Sequence, residues 1–189
     1  MRGYFAIGIE GVSKPGNIGN LIRTAHGFGA AFVFSISPNL KNRATVEKAQ
    51  TGANTSKSET QIPYYEYPEL GDMILPRGCQ LVGVELIDEA VEMPSFRHPR
   101  NAAYILGSER LSLSKDIIQK CHHVIKIPTK FCLNVATAGA VVMYDRHLCY
   151  GRYADRPVSP SGPIEPLTEH VSGGPIFRTG SGTTGKRKR

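Results

Sequence analysis

The sequence lacks the features that mark membrane-spanning, secreted and disulfide-rich proteins. No apolar run approaches the roughly 20 residues of a membrane helix, and the short N-terminal apolar segment has no small-residue cleavage site. Its four cysteines form no C-x-x-C pair, which suits a reducing compartment better than a disulfide scaffold. We therefore expect a soluble, cytoplasmic protein without a signal peptide and without membrane association.

The common nucleotide-binding and hydrolase motifs are also missing. No G-x-G-x-x-G follows a strand, and there is no P-loop, H-E-x-x-H or G-x-S-x-G. The run Cys121-His122-His123 has metal-binding residue types, but neighbouring residues of a strand point to opposite faces and chelate poorly. We expect no metal site.

The charge of the chain is positive and unevenly distributed. Lys and Arg number 23 against 16 Asp and Glu, a formal charge of +7. From Gly151 onward there are seven basic and three acidic residues, together with five prolines and seven glycines. This composition predicts one domain over residues 1–150 and a disordered, Pro/Gly-rich basic tail over residues 151–189. A basic protein suits a polyanionic partner such as nucleic acid.

Strand-like and helix-like segments alternate through the predicted domain. The predicted strands are Tyr4–Glu10, Ala31–Ile36, Gln61–Tyr67 (an edge strand, because of Pro63), Gln80–Leu86, Ala102–Leu106 and Val124–Ile127. The predicted helices are Asn17 to about Gly27 with Asn17 as N-cap, Thr45–Gln50, Glu69–Leu75 and Ser114–Cys121 with Ser114 as cap, while Asp88–Arg100 is predicted to be a loop. The alternation predicts an α/β domain with a mostly parallel sheet and helices on both faces. Ligands of such sheets bind beyond the carboxyl ends of the strands.

The segment Ile125–Leu148 is the most strongly patterned part of the chain. After a short strand and a polar turn, it continues from Leu133 as a helix that is apolar nearly all round and rich in small residues. Such a helix is expected to be buried and packed closely on two sides. Asn134 is placed to cap it or to hold a ligand, and Cys132 is interpreted as a buried structural thiol, because nothing places a histidine beside it.

Two further segments carry polar groups at the expected ligand edge. Asn17, Asn20 and Arg23 form one polar stripe on a helix, where an arginine and a helix N-terminus together suit a phosphate. The alternative is a capped surface helix with a solvated arginine. Gly107-Ser108-Glu109 follows a buried strand and brings a carboxylate and backbone N–H groups to the edge, the alternative being a tight turn with a solvent-facing Glu109.

These three segments, in this order, resemble the SpoU/TrmH family of RNA ribose 2′-O-methyltransferases, in the knotted SPOUT superfamily. Residues 17–25, NIGNLIRTA, resemble the first motif, N-x-G-x-x-x-R. Residues 105–109, ILGSE, resemble the second, a strand followed by G-x-E, and Ile127-Pro128 with LNVA at residues 133–136 resembles the third. The resemblance covers about residues 4–150.

The resemblance implies a trefoil knot in the C-terminal part of the sheet, a homodimer and S-adenosylmethionine as cofactor. The implied cofactor-binding residues are Val84, Glu85, Leu86, Leu106, Gly107, Ile127, Cys132 and Leu133. The implied catalytic residues are Asn17, Arg23, Glu109 and Asn134. Arg23 would act on the hydroxyl and its phosphate, as clamp and electrostatic activator more readily than as base, because a guanidinium stays protonated. Cys132 stands where the family usually has a serine, and it is a weaker hydrogen-bonding group.

The implied substrate is RNA, with transfer RNA favoured over ribosomal RNA by the single-domain form of the resemblance. The dimer surface, the basic residues of Asn39–Ser58 (Lys41, Arg43, Lys48 and Lys57) and the GKRKR tail are the expected RNA contacts. The alternatives are a ribosomal RNA 2′-O-methyltransferase, a non-catalytic RNA-binding protein of the same fold, a SPOUT enzyme that methylates a base nitrogen, and a plain nucleotide-binding α/β protein.

Overall fold

The computed structural model describes residues 3–37, 62–108, 112–151 and 153. Within these residues lie seven strands and three α-helices, besides 3-10 turns at Leu70–Asp72 and Met93–Ser95. In chain order they are β1 (Phe5–Glu10), α1 (Pro15–Gly27), β2 (Phe32–Ile36), β3 (Tyr64–Tyr67), β4 (Gln80–Val84), β5 (Val91–Glu92), β6 (Ala102–Leu106), α2 (Lys115–Lys120), β7 (His123–Lys126) and α3 (Val135–Tyr150). The predicted helix Thr45–Gln50, the basic residues of Asn39–Ser58, Glu109 and the GKRKR tail lie outside the described residues.

The strands form one sheet in the order β3-β2-β1-β6-β4-β7-β5. Every described pairing is parallel, which confirms the prediction of a mostly parallel α/β sheet. β3 lies at one edge, as Pro63 predicted. At the other edge lies β5, which falls inside the stretch Asp88–Arg100 that was predicted to be a loop, and that prediction is wrong there. A strand of two exposed residues has no alternation of apolar and polar residues to reveal it.

Both faces of the sheet are covered, as the alternation of segments predicted. On β1, Phe5, Ile7 and Ile9 belong to a core cluster with buried residues of α1 and α3, whereas Ala6 belongs to a second cluster with Ile117 of α2. Successive residues of a strand point to opposite faces, so one buried strand contributes to both cores. The buried, nearly all-apolar composition of β6 follows from this position between two layers.

The helix boundaries correct two predictions and confirm a third. α1 begins at Pro15, whose fixed φ and missing N–H suit a first helical position, and the N-cap position is Lys14. Asn17 therefore lies inside the first turn, and the prediction that it caps the helix is wrong. The predicted helix Glu69–Leu75 is only a 3-10 turn. Ser114 does cap α2, because its Oγ accepts a hydrogen bond from Ile117 N at 3.3 Å.

α3 packs against α1 through a glycine. A Cβ added at Gly139 would lie 2.6 Å from Leu21 Cδ1 of α1 and 3.2 Å from Ile7 Cδ1 of β1, so a side chain there would require the buried Leu21 side chain to shift. This confirms the close approach that the small residues predicted. In the single chain Tyr144 is 54% exposed and Leu148 is 37% exposed, so burial of this end of the helix stays a prediction. No helix among the described residues is long and apolar enough to cross a membrane.

Candidate functional site

A cavity of about 470 Å³ opens at the carboxyl edge of the sheet. Its walls are the segments that follow β4, β6 and β7, together with the first turn of α3 and Lys14. The lining residues are Lys14, Val84, Glu85, Leu86, Leu106, Gly107, Ser108, Ser112, Ile127, Thr129, Cys132, Leu133, Asn134, Val135 and Ala138. All eight residues that were expected to bind a cofactor therefore line one cavity.

Strand register explains why residues so distant in sequence meet here. Val84 at the end of β4 pairs with Leu106 of β6 on one side and with Ile125 of β7 on the other. Parallel strands end at the same edge, so the three segments that leave these strands start side by side. The walls are apolar side chains and strand-end backbone, with polar groups from Lys14, Glu85, Asn134 and short hydroxyl residues.

Two carboxylates hold the segment between β6 and α2 against the strand ends. Glu85, directly after β4, accepts hydrogen bonds from Leu113 N at 2.7 Å and from Leu86 N at 3.1 Å. Glu10, the last residue of β1, accepts from Ser114 N at 2.7 Å. Glu85 thus lines the cavity while its carboxylate accepts hydrogen bonds from backbone N–H groups. Hydrogen bonds to an ionised carboxylate are charge-assisted and stronger than those between neutral groups.

Asn134, which lines the cavity, joins α3 to α1. Its Oδ1 accepts from Ala136 N at 3.0 Å and from Thr137 N at 3.3 Å, so it caps α3, one of the two roles predicted for it. Its Nδ2 donates to Asn17 Oδ1 at 3.2 Å. Asn17 is only 8% exposed, and within the described part of the chain its Nδ2 has no hydrogen-bond acceptor. A buried amide donor without an acceptor is uncommon and suits a group that meets a ligand or substrate.

The other predicted catalytic residues are less close to the cavity. Arg23 is exposed on α1 and does not line it, and Asn20 is also exposed. The predicted polar stripe is therefore divided, since Asn17 is buried while Asn20 and Arg23 face solvent. Glu109 lies outside the described residues, so its catalytic role stays a prediction.

The turn between β7 and α3 forms the rim of the cavity. Cys132 is exposed and lines the cavity, so its interpretation as a buried structural thiol is wrong. Phe131 beside it is 73% exposed. Thr129 fixes the turn, because its N–H donates to Ile127 O at 2.8 Å and its hydroxyl donates to Phe131 O at 2.9 Å.

A buried polar network at the far end of α3 was missed from the sequence. The Arg146 guanidinium is 6% exposed and donates to four oxygens, those of Tyr4, Pro99, Arg100 and the Tyr104 hydroxyl. His98 bridges the Tyr104 hydroxyl at 2.6 Å and Asp145 at 2.9 Å. Burial lowers the pKa of His98, an effect that Asp145 partly opposes. No local pattern reveals such a network, because its members come from three separate segments.

The same network contains the one group of metal-binding residue types found among the described residues. The donor atoms of His98, Asp145 and Cys149 lie within 4.8 Å of one another. His98 Nε2 is already hydrogen-bonded to Asp145, and the Arg146 guanidinium acts on His98 as a nearby positive charge. Hydrogen bonding within the network accounts for this arrangement. The run Cys121-His122-His123 forms no such group among the residues described: His122 Nδ1 accepts from Leu81 N, whereas His123 contacts Gln80.

Comparison with known proteins places these features in context. The model of the SpoU rRNA Methylase family matches residues 4–144. The chain is 27% identical over 143 residues to the tRNA (guanosine(18)-2′-O)-methyltransferase of Escherichia coli K12, covering 72% of this chain and 60% of that protein. The chain therefore spans about three fifths of the length of this relative.

Solved structures share the fold. An AdoMet-bound rRNA methyltransferase from Sinorhizobium meliloti superposes with a TM-score of 0.68 at 21% identity, covering 78% of this chain and 57% of that one. A protein described in connection with 2-OH methylation of C/U34 on tRNA superposes with a TM-score of 0.66 at 20% identity, covering 79% of this chain and 92% of that one.

Proposed function

The chain belongs to the SpoU rRNA Methylase family, and from that membership we propose that it transfers a methyl group from S-adenosylmethionine to a ribose 2′-hydroxyl of RNA. The observation that carries the proposal is that one cavity is lined by all eight expected cofactor residues and by Asn134. The proposed substrate is transfer RNA, because the Escherichia coli relative is named for a tRNA guanosine.

The cavity suits S-adenosylmethionine in size and in donor set. A volume of about 470 Å³ falls within the range of about 300–1,000 Å³ typical of small-molecule sites. Apolar walls from Leu106, Ile127 and Leu133 suit an adenine ring, and strand-end backbone offers the donors and acceptors for its edge. Lys14 supplies a positive charge for a carboxylate. The carboxylate of Glu85, which lines the cavity, is engaged by two backbone N–H groups.

Each catalytic residue has a proposed part that its chemistry permits. The cofactor supplies an already activated methyl group, so the protein has mainly to align a hydroxyl with it and assist loss of a proton. Arg23, exposed and cationic, would hold the phosphate beside the target ribose and stabilise the developing alkoxide. Asn17 would offer its unpartnered Nδ2 to the substrate, and Asn134 would fix Asn17 and the start of α3. Glu109 would position Arg23 or the substrate.

The proposal also includes a homodimer and a trefoil knot in a cytoplasmic protein without a metal. Tyr144 and Leu148 of α3 are exposed apolar residues, which supports their burial against a second copy of the chain. For the knot, the support is that Ser112 and the start of α3 at Val135 line the same cavity, so the chain entering α3 passes beside the loop it would thread. Residues 151–189 would form a basic tail that adds affinity for RNA. A crystal structure with S-adenosylmethionine would test the knot and the dimer together.

The first experiment is methyl transfer from labelled S-adenosylmethionine to total RNA from a strain that lacks this protein, followed by nuclease digestion and mass analysis of the nucleosides. Label in a 2′-O-methylated nucleoside of the tRNA fraction is the expected result. Label in a base, or label in ribosomal RNA alone, would contradict the reaction or the substrate class respectively. Absence of both label and cofactor binding would favour the non-catalytic alternative.

Arg23→Ala tests the assignment of Arg23 to the RNA side of the site. We expect turnover to be lost while the dissociation constant for S-adenosylmethionine stays within about twofold, because Arg23 does not line the cavity. Arg77→Ala, which removes another exposed arginine, is the matched control. Parallel loss of cofactor affinity in Arg23→Ala would contradict the assignment.

A further inference from the structure

Phe131 is an exposed aromatic ring at the rim of the cavity. It is 73% exposed, and its chain neighbour Cys132 lines the cavity while Phe131 does not. The ring therefore stands outside the proposed cofactor space. An exposed phenylalanine forgoes the free energy of burial, and a ligand that covers the ring recovers part of that free energy.

The exposure of this ring does not come from a loose loop. Two hydrogen bonds of Thr129, to Ile127 O and to Phe131 O, close the turn before the ring, and the Asn134 cap fixes the chain after it. A short turn held on both sides presents the ring with only its two side-chain torsions free. Little conformational entropy is then lost when a flat partner covers it.

The charges nearby indicate the chemistry of that partner. Lys130 precedes Phe131 and is exposed, and Lys14 is a second exposed lysine that lines the cavity. An aromatic face beside a compact cation matches the two parts of a nucleotide, because the base stacks on the ring and the phosphate meets the ammonium group. A peptide or lipid partner would call for a wider apolar surface than one ring.

We propose that Phe131 is the stacking platform for an unpaired base of the RNA substrate, next to the nucleotide whose ribose is methylated, with Lys130 on its phosphate. The inference rests on the proposed function, since it takes RNA as the substrate of this cavity. Base stacking on an aromatic side chain tolerates every base, so Phe131 adds affinity and position rather than sequence choice.

Fluorescence anisotropy with two probes tests the proposal: a short single-stranded oligoadenylate, and an abasic ribose-phosphate chain of the same length. We expect Phe131→Ala to weaken oligoadenylate binding by about tenfold and to leave binding of the abasic chain unchanged. Phe131→Trp keeps the wild-type affinity, whereas Phe131→Leu, apolar without a flat face, behaves like the alanine variant. Ile74→Ala, which removes another side chain that is 80% exposed, is the matched control and changes neither affinity.

Lys130→Ala separates the phosphate contact from the stacking contact. It is expected to weaken both probes by the same factor and to reduce the salt dependence of binding by about one ion. In methyl transfer, Phe131→Ala raises KM for RNA and leaves kcat unchanged, because the ring acts on binding.

Several outcomes would overturn the proposal. Equal loss on both probes, or no loss on either, would show that the ring does not stack on a base. Reduced affinity for S-adenosylmethionine in Phe131→Ala would place the ring on the cofactor, and a changed oligomeric state in light scattering would place it in a protein interface. Binding needs no turnover, so absence of methyl transfer by the wild-type protein would refute the proposed function and leave this binding test to decide the role of Phe131.

Discussion

Replacing Asn134 tests the contact between α1 and α3 beside the cavity. Its Oδ1 caps two N–H groups of α3, and its Nδ2 donates to the buried Asn17 Oδ1. Asn134→Ala removes both contacts. Asn134→Ser keeps an oxygen that caps as well as asparagine does and removes only the donor to Asn17. The two variants therefore separate the cap from the interhelical bond.

The structure allows the size of each loss to be worked out. A lost side-chain cap costs about 1 kcal/mol, and a hydrogen bond taken from a buried amide costs about 1 kcal/mol more. Asn134→Ala should thus lower the free energy of unfolding by about 2 kcal/mol and Asn134→Ser by about 1 kcal/mol. With a urea slope of about 2 kcal/mol per M, the midpoints should fall by about 1 M and 0.5 M respectively.

Urea unfolding followed by circular dichroism at one protein concentration is the assay, with isothermal titration of S-adenosylmethionine beside it. The cofactor should bind more weakly to the alanine variant than to the serine variant, because Val135 and Ala138 of the first turn of α3 line the cavity. Adding Asn17→Ala to Asn134→Ser should cost less than the sum of the two single changes. Strict additivity would refute the bond, and equal midpoints for alanine and serine would refute the cap.

Three further predictions address packing, the loop after β6 and pH. Gly139→Ala should destabilise the fold by about 1–3 kcal/mol despite the better helix propensity of alanine, because the new Cβ would lie 2.6 Å from Leu21 Cδ1. Thermal unfolding measures this loss. Gly16→Ala is the control, since no atom lies within 4 Å of a Cβ added there. Glu85→Ala should weaken S-adenosylmethionine binding about tenfold by calorimetry, whereas Glu85→Gln keeps an acceptor for the loop and restores most of the affinity. Burial lowers the pKa of His98 from its ordinary value of 6.5. As the pH falls, His98 is therefore protonated in the unfolded chain before it is protonated in the folded chain, and the free energy of unfolding should fall below about pH 6.5. In His98→Gln the melting temperature should change less between about pH 7.5 and pH 5.5 than in the wild-type protein.

Contrary results would identify which step of the reasoning fails. A neutral or stabilising Gly139→Ala would mean that the leucine side chain moves aside at little cost. Glu85→Gln as weak as the alanine variant would assign Glu85 to the cofactor through its charge rather than to the loop. An unchanged pH profile in His98→Gln would assign the loss of stability in acid to other groups.

The sequence by itself determined the class of fold and the edge that carries the site. Hydrophobic periodicity and composition predicted the strand Ala102–Leu106, which is β6. Because parallel strands end at one edge of the sheet, the segments after β4, β6 and β7 could be predicted to lie at the same edge. The sequence also predicted the cap at Asn134, because a polar residue directly before an apolar helical run is a local signal of a helix start.

Only the tertiary structure decided features that depend on pairing between distant segments. β5 exists because Val91 lies beside Ile125, and the guanidinium of Arg146 is buried because carbonyls from two other segments converge on it. Asn17 likewise serves as the partner of Asn134 rather than as a cap. Local sequence records the preferences of one segment, whereas each of these roles is assigned by the neighbour that folding brings against it.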